Sequence, residues 1–353
     1  MKKFLLLAVC MACLCACGGT RESGETPPPP NVTINVYNWG EYIDQSVLTD
    51  FTKETGIKIN YETYPSNEDL YTKLKSGGVD YDIAVPSDYM VERMIREDML
   101  EKLDINNIPN LKYIDKRFTN VQYDPNGEYS VPYMWGTLGI LYNKTMVTDT
   151  VDSWNILWDQ KYNGQIFMYD SMRDTLGVAL KRLGFSLNTT DLQQLESAGQ
   201  SLIDQKPLVQ AYVGDTVRDS MIGNEAALAV VYSGDAMYCM DNNPDLDYVI
   251  PKEGSNVWID AVVIPKGSTH KTEAEKFIDY LCRPDVCLKN VEYIGYSTVN
   301  SETFNMLPDD LKNNLTFWPS DETYNRCEIF SDLGDFTKEY DRVWTEVLAA
   351  SNK

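Results

Sequence analysis

The 353-residue chain has a single histidine, His270. That scarcity closes off several chemistries at once, because a histidine-based zinc site, Ser-His-Asp hydrolysis and Cys-His catalysis all need imidazole beside other groups. Cysteine is thin as well: four lie at the N-terminus (Cys10, Cys13, Cys15, Cys17), leaving Cys239, Cys282, Cys287 and Cys327 beyond it. Cys282 and Cys287 are five apart on what reads as one helix and face different sides, so buried free thiols are expected rather than a bridge between them. There is no basic cluster. The formal charge is −22, and −24 once Lys2 and Lys3 are removed, which speaks against nucleic acid and against electrostatic adhesion to anionic lipid. Such a surface favours a cationic partner, although solubility alone would also account for it. Long apolar runs are missing apart from Phe4–Cys15, which is too short to span a bilayer.

That run, preceded by Lys2 and Lys3 and followed by small residues, reads as a secretory signal. Leu14-Cys15-Ala16-Cys17 resembles a lipobox, which implies a lipidated Cys17; a plain signal peptide, or cleavage at Cys13 or Cys10, is the alternative. Residues 18–31, GGTRESGETPPPPN, lack the apolar content of a core, and Pro27 to Pro30 stiffen them into a tether. A body of about 320 residues remains, more than one core usually serves, so two lobes are expected.

From Val32 the pattern alternates strand and helix. Val32–Tyr37 reads as a strand, Asp44–Thr55 as a helix ending at Gly56, and Ile57–Tyr61 as a strand. A helix opening on the Ser66/Asp69 capping box ends at Gly77 and Gly78, and a short buried strand covers Asp82–Val85. This β-α-β-α-β run implies a parallel sheet with right-handed crossovers, whose ligands gather at the carboxyl ends of the strands. A second series holds strands at Gln165–Tyr169 and Ala226–Val231, with helices at Thr175–Leu183 and Gln193–Asp204. Val257–Ile264 is a further strand, and Lys271–Cys282 a helix ended by Arg283-Pro284.

Polar and aromatic residues crowd just past these strands. Trp39, Tyr42, Tyr89, Tyr232, Trp258 and Tyr296 supply ring faces; Glu41, Asp174 and Asp260 supply negative charge; Ser87 is a neutral hydrogen bonder. Rings with carboxylates suit an organic cation: a ring face attracts ammonium by roughly 0.5–2 kcal/mol, and a carboxylate hydrogen bond adds about 1.5–3 kcal/mol. Sugar clefts favour mixed acids, amides and bases, and an anion site needs cations, of which Arg173 alone stands near this set. Each residue also has a plainer role. The rings could be core, Asp174 could cap the helix starting near Thr175, and Glu41 could be a solvated loop residue. Asp260 resists that reading, because an ionised group between apolar neighbours is costly unless paired.

The stretches YNWGEYID, FTKETGIKI, YDIAVPSDYM, YSVPYMWGTLGILYN, SWNILWDQKYNGQI, YSGDA, VWIDAVVIP, FIDYLCRPDV, YIGYSTVN and SDLG, in this order, resemble the spermidine/putrescine-binding proteins of polyamine ABC importers, from Val32 to about Val347. The resemblance implies an α/β, two-lobed periplasmic binding-protein fold of type II, with the ligand in the inter-lobe cleft and hinge closure upon it. It implies lobes formed by 32–138 with 262–300 and by 139–261 with 301–353. It implies an aromatic box of Trp39, Tyr42, Tyr89, Trp258 and Tyr296, acidic anchors Glu41, Asp174 and Asp260, and Ser87 as a polar contact, with Tyr232 standing where a Trp is common. Ser171 stands in place of an acid, Gly40 in place of a hydroxyl-bearing residue, and Phe330 where a Gln is frequent, which leaves the choice between spermidine and putrescine open. The expected protein is a monomeric, periplasmic or cell-surface receptor, lipid-anchored through Cys17. It would deliver a polyamine to an ABC permease, without catalytic residues, metal or cofactor. The alternatives are a receptor of the same fold for another solute, or an extracytoplasmic hydrolase working with paired carboxylates such as Asp174 and Asp260.

Overall fold

The alternation between Val32 and Val85 becomes a parallel sheet edge. In the computed structural model, which describes residues 32–351 apart from Val79 and Asp215, strand β1 (Thr33–Trp39) lies between β2 (Lys58–Tyr64) and β3 (Ile83–Ala84) and runs parallel to both. Helix α1 (Gln45–Thr55) joins the first two strands; Asp44 caps its start, and Gly56 ends it at φ 77°, a left-handed turn that glycine makes without strain. Helix α2 (Asn67–Ser76) opens on Ser66, whose Oγ accepts the Asp69 N–H at 3.1 Å. Helix α3 (Asp88–Arg96), absent from the sequence reading, follows β3. The signal segment, tether and Cys17 lie outside the described residues.

The element that organises the rest is β4 (Ser130–Asn143), a 14-residue strand that belongs to both lobes. Its first half, Ser130–Thr137, pairs antiparallel with β9 (Val257–Val263). Its second half pairs with β7 (Leu228–Tyr232) and β8 (Leu246–Val249). Strands β5 (Ile166–Tyr169) and β6 (Val209–Val213) complete the second lobe's parallel part, giving the order β2-β1-β3-β9-β4-β7-β5-β6. Helices α4 (Met172–Arg182), α5 (Leu192–Gln205), α6 (Val217–Ile222) and α7 (Ser233–Asn242) cover the second lobe, and α8 (Lys271–Leu281) and α9 (Pro284–Ile294) cover the first.

Each lobe has its own core. Ile34, Val36, Phe51, Ile83 and Phe277 pack in the first, and Trp154, Ile166, Leu176, Leu202 and Tyr340 in the second. The expected lobe boundaries need correction on this point. Strand β9 begins at Val257 and sits wholly beside β3 and β4, with Val257, Ile259 and Ala261 in a first-lobe core that also holds Tyr37 and Ala84. Leu307 and Phe317, expected in the second lobe, are buried against Ile34 and Phe277. Only past Phe330 does the chain return to the second core, through Tyr340, Val343 and Val347.

The chain therefore passes between lobes at three places, and these are stitched together. Leu138 N–H donates to Asn256 O at 3.1 Å, Glu328 N–H to Ser255 O at 2.9 Å, and Val257 N–H to Glu328 O at 3.0 Å. Ser255 Oγ donates to Leu138 O at 2.6 Å. A second correction concerns the thiols. Cys282 follows α8 while Cys287 sits inside α9, a separate helix that Pro284 starts, its missing N–H being one the first turn would leave unpaired anyway. Cys239, Cys282, Cys287 and Cys327 are free. Among the described residues no helix is long and apolar enough to cross a membrane.

Candidate functional site

Asp260 lies mid-strand in β9, between Ile259 and Ala261, whose side chains are buried in the core. The carboxylate is 6 % exposed. Its Oδ2 accepts the Tyr42 hydroxyl at 2.7 Å, and Tyr42 is itself placed by the Tyr133 hydroxyl, which donates to the Tyr42 carbonyl at 2.8 Å. Oδ1 is buried without a hydrogen-bond partner. Burial pushes this carboxyl up to about 6, opposed by the hydroxyls of Ser87 and Tyr42.

Asp174 makes the same arrangement in the other lobe. Helix α4 starts at Met172, earlier than the sequence suggests, and Ser171 is the N-cap. The capping role weighed for Asp174 is thereby taken, and Asp174 falls in the first turn, 4 % exposed. Its Oδ2 accepts from Ser171 Oγ at 2.6 Å and from the Tyr232 hydroxyl at 3.0 Å, while Oδ1 is buried and unpartnered. Burial again raises the pKa, against Ser171, Tyr232 and Arg173. Since the two acids belong to different lobes and both are buried, the lobes are apposed as observed.

Rings join the two. Tyr232 lies 6.1 Å from Trp258 between centroids, Trp258 lies 4.8 Å from Tyr296 at 90°, and Tyr296 lies 6.3 Å from Tyr42. With Tyr232 bonded to Asp174 and Tyr42 to Asp260, a wall of four rings carries a carboxylate at each end. The Trp258 indole N–H is buried and unpartnered. Two glycines make room for this wall: a Cβ on Gly136 would stand 2.6 Å from the Trp258 ring, and one on Gly234 would overlap Tyr296.

The remaining predicted residues are held by other partners. Trp39 donates its indole N–H to Val85 O at 2.9 Å at the end of β3. Ser87 forms a backbone bridge with Asp260, and its Oγ accepts from Asn67 Nδ2 at 3.1 Å. Tyr89 donates to Glu68 at 3.1 Å. Glu41 is not brought to the buried acids. It stands exposed at φ 51°, and its carboxylate accepts the Tyr293 hydroxyl at 2.5 Å.

The structure adds two groups that the sequence reading left out of the site. Asp88 is 1 % exposed, and its two oxygens accept the N–H groups of Ile259 at 3.0 Å and Tyr89 at 2.7 Å. Burial holds its carboxyl well above the usual range. Arg173, stacked over Phe330 at 4.4 Å, donates to Ser331 O at 3.1 Å and Asn188 Oδ1 at 2.9 Å. The only sequence signal for either was adjacency, Asp88 to Ser87 and Arg173 to Asp174.

Two buried acids thus stand at the ends of an aromatic wall, on separate lobes joined at three crossings. Comparison with known proteins places the chain. The model of the bacterial extracellular solute-binding protein family matches residues 46–317, and the chain belongs to that family. The spermidine/putrescine-binding periplasmic protein of Escherichia coli is 37 % identical over 322 residues, covering 90 % of this chain and 92 % of its own. Among solved structures, a spermidine/putrescine ABC transporter substrate-binding protein from Streptococcus pneumoniae matches with TM-score 0.84 and 41 % identity, covering 92 % of this chain and 100 % of its own. A putative spermidine/putrescine ABC transporter from Listeria monocytogenes matches with TM-score 0.85 and 42 % identity, over 90 % and 99 %. The fold is accordingly the two-lobed periplasmic binding-protein type, and these relatives are solute-binding transport proteins rather than enzymes.

Proposed function

We propose that this chain is an extracytoplasmic receptor that captures a polyamine between its lobes and hands it, chemically unchanged, to an ABC permease. The observation that carries the reading is the pair of unpartnered carboxylate oxygens, Asp174 Oδ1 and Asp260 Oδ1, buried at opposite ends of the four-ring wall. Two ammonium groups joined by methylenes meet both needs: each end neutralises an acid, and the stem lies along the rings. Two charge-assisted bonds at about 1.5–3 kcal/mol each, with ring contacts and apolar burial, are enough for affinity near micromolar, or about −8 kcal/mol, after ordering costs. The names of the relatives in Escherichia coli and Streptococcus pneumoniae support the same class of ligand.

On this reading Trp39, Ser87 and Tyr89 complete the cleft and Glu41 stands at its mouth. Cys17 is the lipid anchor, residues 18–31 are the tether, and the receptor works as a monomer beside its permease. The test is calorimetric titration of ligand-free, refolded residues 31–353 with spermidine, putrescine and an uncharged sugar. One-to-one binding of a polyamine, with no heat from the sugar, is the expected outcome; silence towards both amines would leave the fold without this ligand.

A further inference from the structure

A second contact between the lobes is made by residues other than the rings and acids of the wall. Residues Ser331 and Asp332, just past the third crossing, are held by the second lobe: Ser331 N–H donates to Asn188 Oδ1 at 2.8 Å, and Arg173 reaches Ser331 O. The residues that follow, Leu333 and Phe336, pack on the second core. From the other side the same dipeptide is gripped by the first lobe. Glu92 of α3 accepts the Asp332 N–H at 2.8 Å, Arg96 of α3 pairs with the Asp332 carboxylate, and Gln122 Nε2 donates to Ser331 Oγ at 3.0 Å. Helix α3 is anchored in the first lobe through Met90, Val91 and Met94.

Glu92 and Arg96 are four residues apart on one helix, a spacing at which an acid and a base pair with each other. With the lobes together, Asp332 comes between them: its amide takes the acid and its carboxylate takes the base. With the lobes apart, Arg96 keeps Glu97, 3.8 Å away, and can also close on Glu92, so neither charge is abandoned when the contact breaks. A contact with alternative partners in its two states makes and breaks reversibly. Its end points also lie next to the ligand acids. Arg173, which holds Ser331, directly precedes Asp174, and α3 begins at Asp88 beside the Ser87–Asp260 bridge.

We propose that Asp332 is a positioning residue that clasps the closed lobes, with Glu92 and Arg96 exchanging each other for it as the cleft shuts. It touches no ligand; it sets how long a captured ligand stays. The proposal goes beyond the polyamine reading but uses a polyamine as its probe.

The test is stopped-flow tryptophan fluorescence on ligand-free protein mixed with putrescine or spermidine, for wild type and Asp332→Asn. Dissociation is expected to quicken three- to tenfold with association within twofold, since a pair that forms only on closure acts on release. High salt should quicken wild-type release by a larger factor than the variant's, since only the wild type has the extra ion pair to screen. The exchanged pair Arg96→Asp with Asp332→Arg is expected to restore slow release, which a merely structural defect would not allow. Arg96→Gln, changing the half-exposed partner, gives the same reading should Asp332→Asn melt early. Unchanged release in both single variants, or an equal loss of association, overturns the clasp. Should no polyamine bind at all, the functional reading falls, and the clasp is then decided by small-angle scattering of ligand-free protein: Asp332→Asn must be more expanded than wild type, and equal radii sink it.

Discussion

At the scale of single residues, the proposed site rests on two buried acids, each with one oxygen lacking a hydrogen-bond partner. Asp260 illustrates the cost. Its pKa of about 6 in the folded chain lies above the unfolded value near 3.9, so the folded state holds the proton more tightly. Stability from this group is therefore full below about pH 4 and lost as pH rises through 6, amounting to roughly 3 kcal/mol at neutral pH. Asp260→Asn should raise the melting temperature of the ligand-free protein by a few degrees while weakening polyamine binding by roughly 10- to 150-fold, the range of one charge-assisted bond. Calorimetry on one sample reads both effects, and a variant that lost stability along with affinity would contradict this account. The pH dependence of binding follows the same sign: affinity holds steady between pH 7 and 8 and falls as pH drops through 6, by up to tenfold per unit, because the proton then competes with the ammonium. On the proposed reading the types of residue in the cleft were legible from sequence, since indoles, phenols and carboxylates together suit an organic cation. Their depth was not. Glu41 and Asp260 look alike as acids beside aromatics, but one sits exposed on a left-handed turn and the other under a phenol, and only the packing of β9 against β4 distinguishes them.

At the scale of elements, two local designs aim the site. The N-cap at Ser171 both starts α4 and fills one oxygen of Asp174. Ser171→Ala is expected to cost about 1 kcal/mol of stability and to change ligand affinity as well, which paired melting and titration would register; a loss of stability alone would mean that the hydroxyl does nothing for Asp174. Gly136 is the second: a methyl placed 2.6 Å from the Trp258 ring must displace it. Gly136→Ala should then cost about 1–3 kcal/mol from overpacking and weaken binding, whereas Gly40→Ala, with open space around it, should do neither. The parallel strands β1 to β3 were readable because alternation, caps and glycines agree along them. Strand β4 was hidden for a physical reason. Pro132 and two glycines within it are marks of a broken strand, and the structure absorbs the proline in a register shift between Pro132 and Met134, leaving the glycines to make room for Trp258 and Tyr248. The lobe boundaries were misplaced for a similar reason, because nothing local in 301–327 says which of two apolar cores it will join.

At the scale of the molecule, closure should be visible as shape. Binding of a polyamine is expected to reduce the radius of gyration measured by small-angle scattering, and an unchanged radius on saturation would argue for a rigid cleft. The three stitched crossings have a further consequence. An even number would return the chain to the lobe it started from; three leave Thr33 in the first lobe and the helix Thr337–Ala349 in the second. With Thr33 and Ala349 on different lobes, a rotation of one lobe against the other is expected to change the span between them. A donor fluorophore fused ahead of Thr33 and an acceptor fused after Ala349 would convert ligand capture into a change in energy transfer, making the receptor an optical gauge of its own cargo.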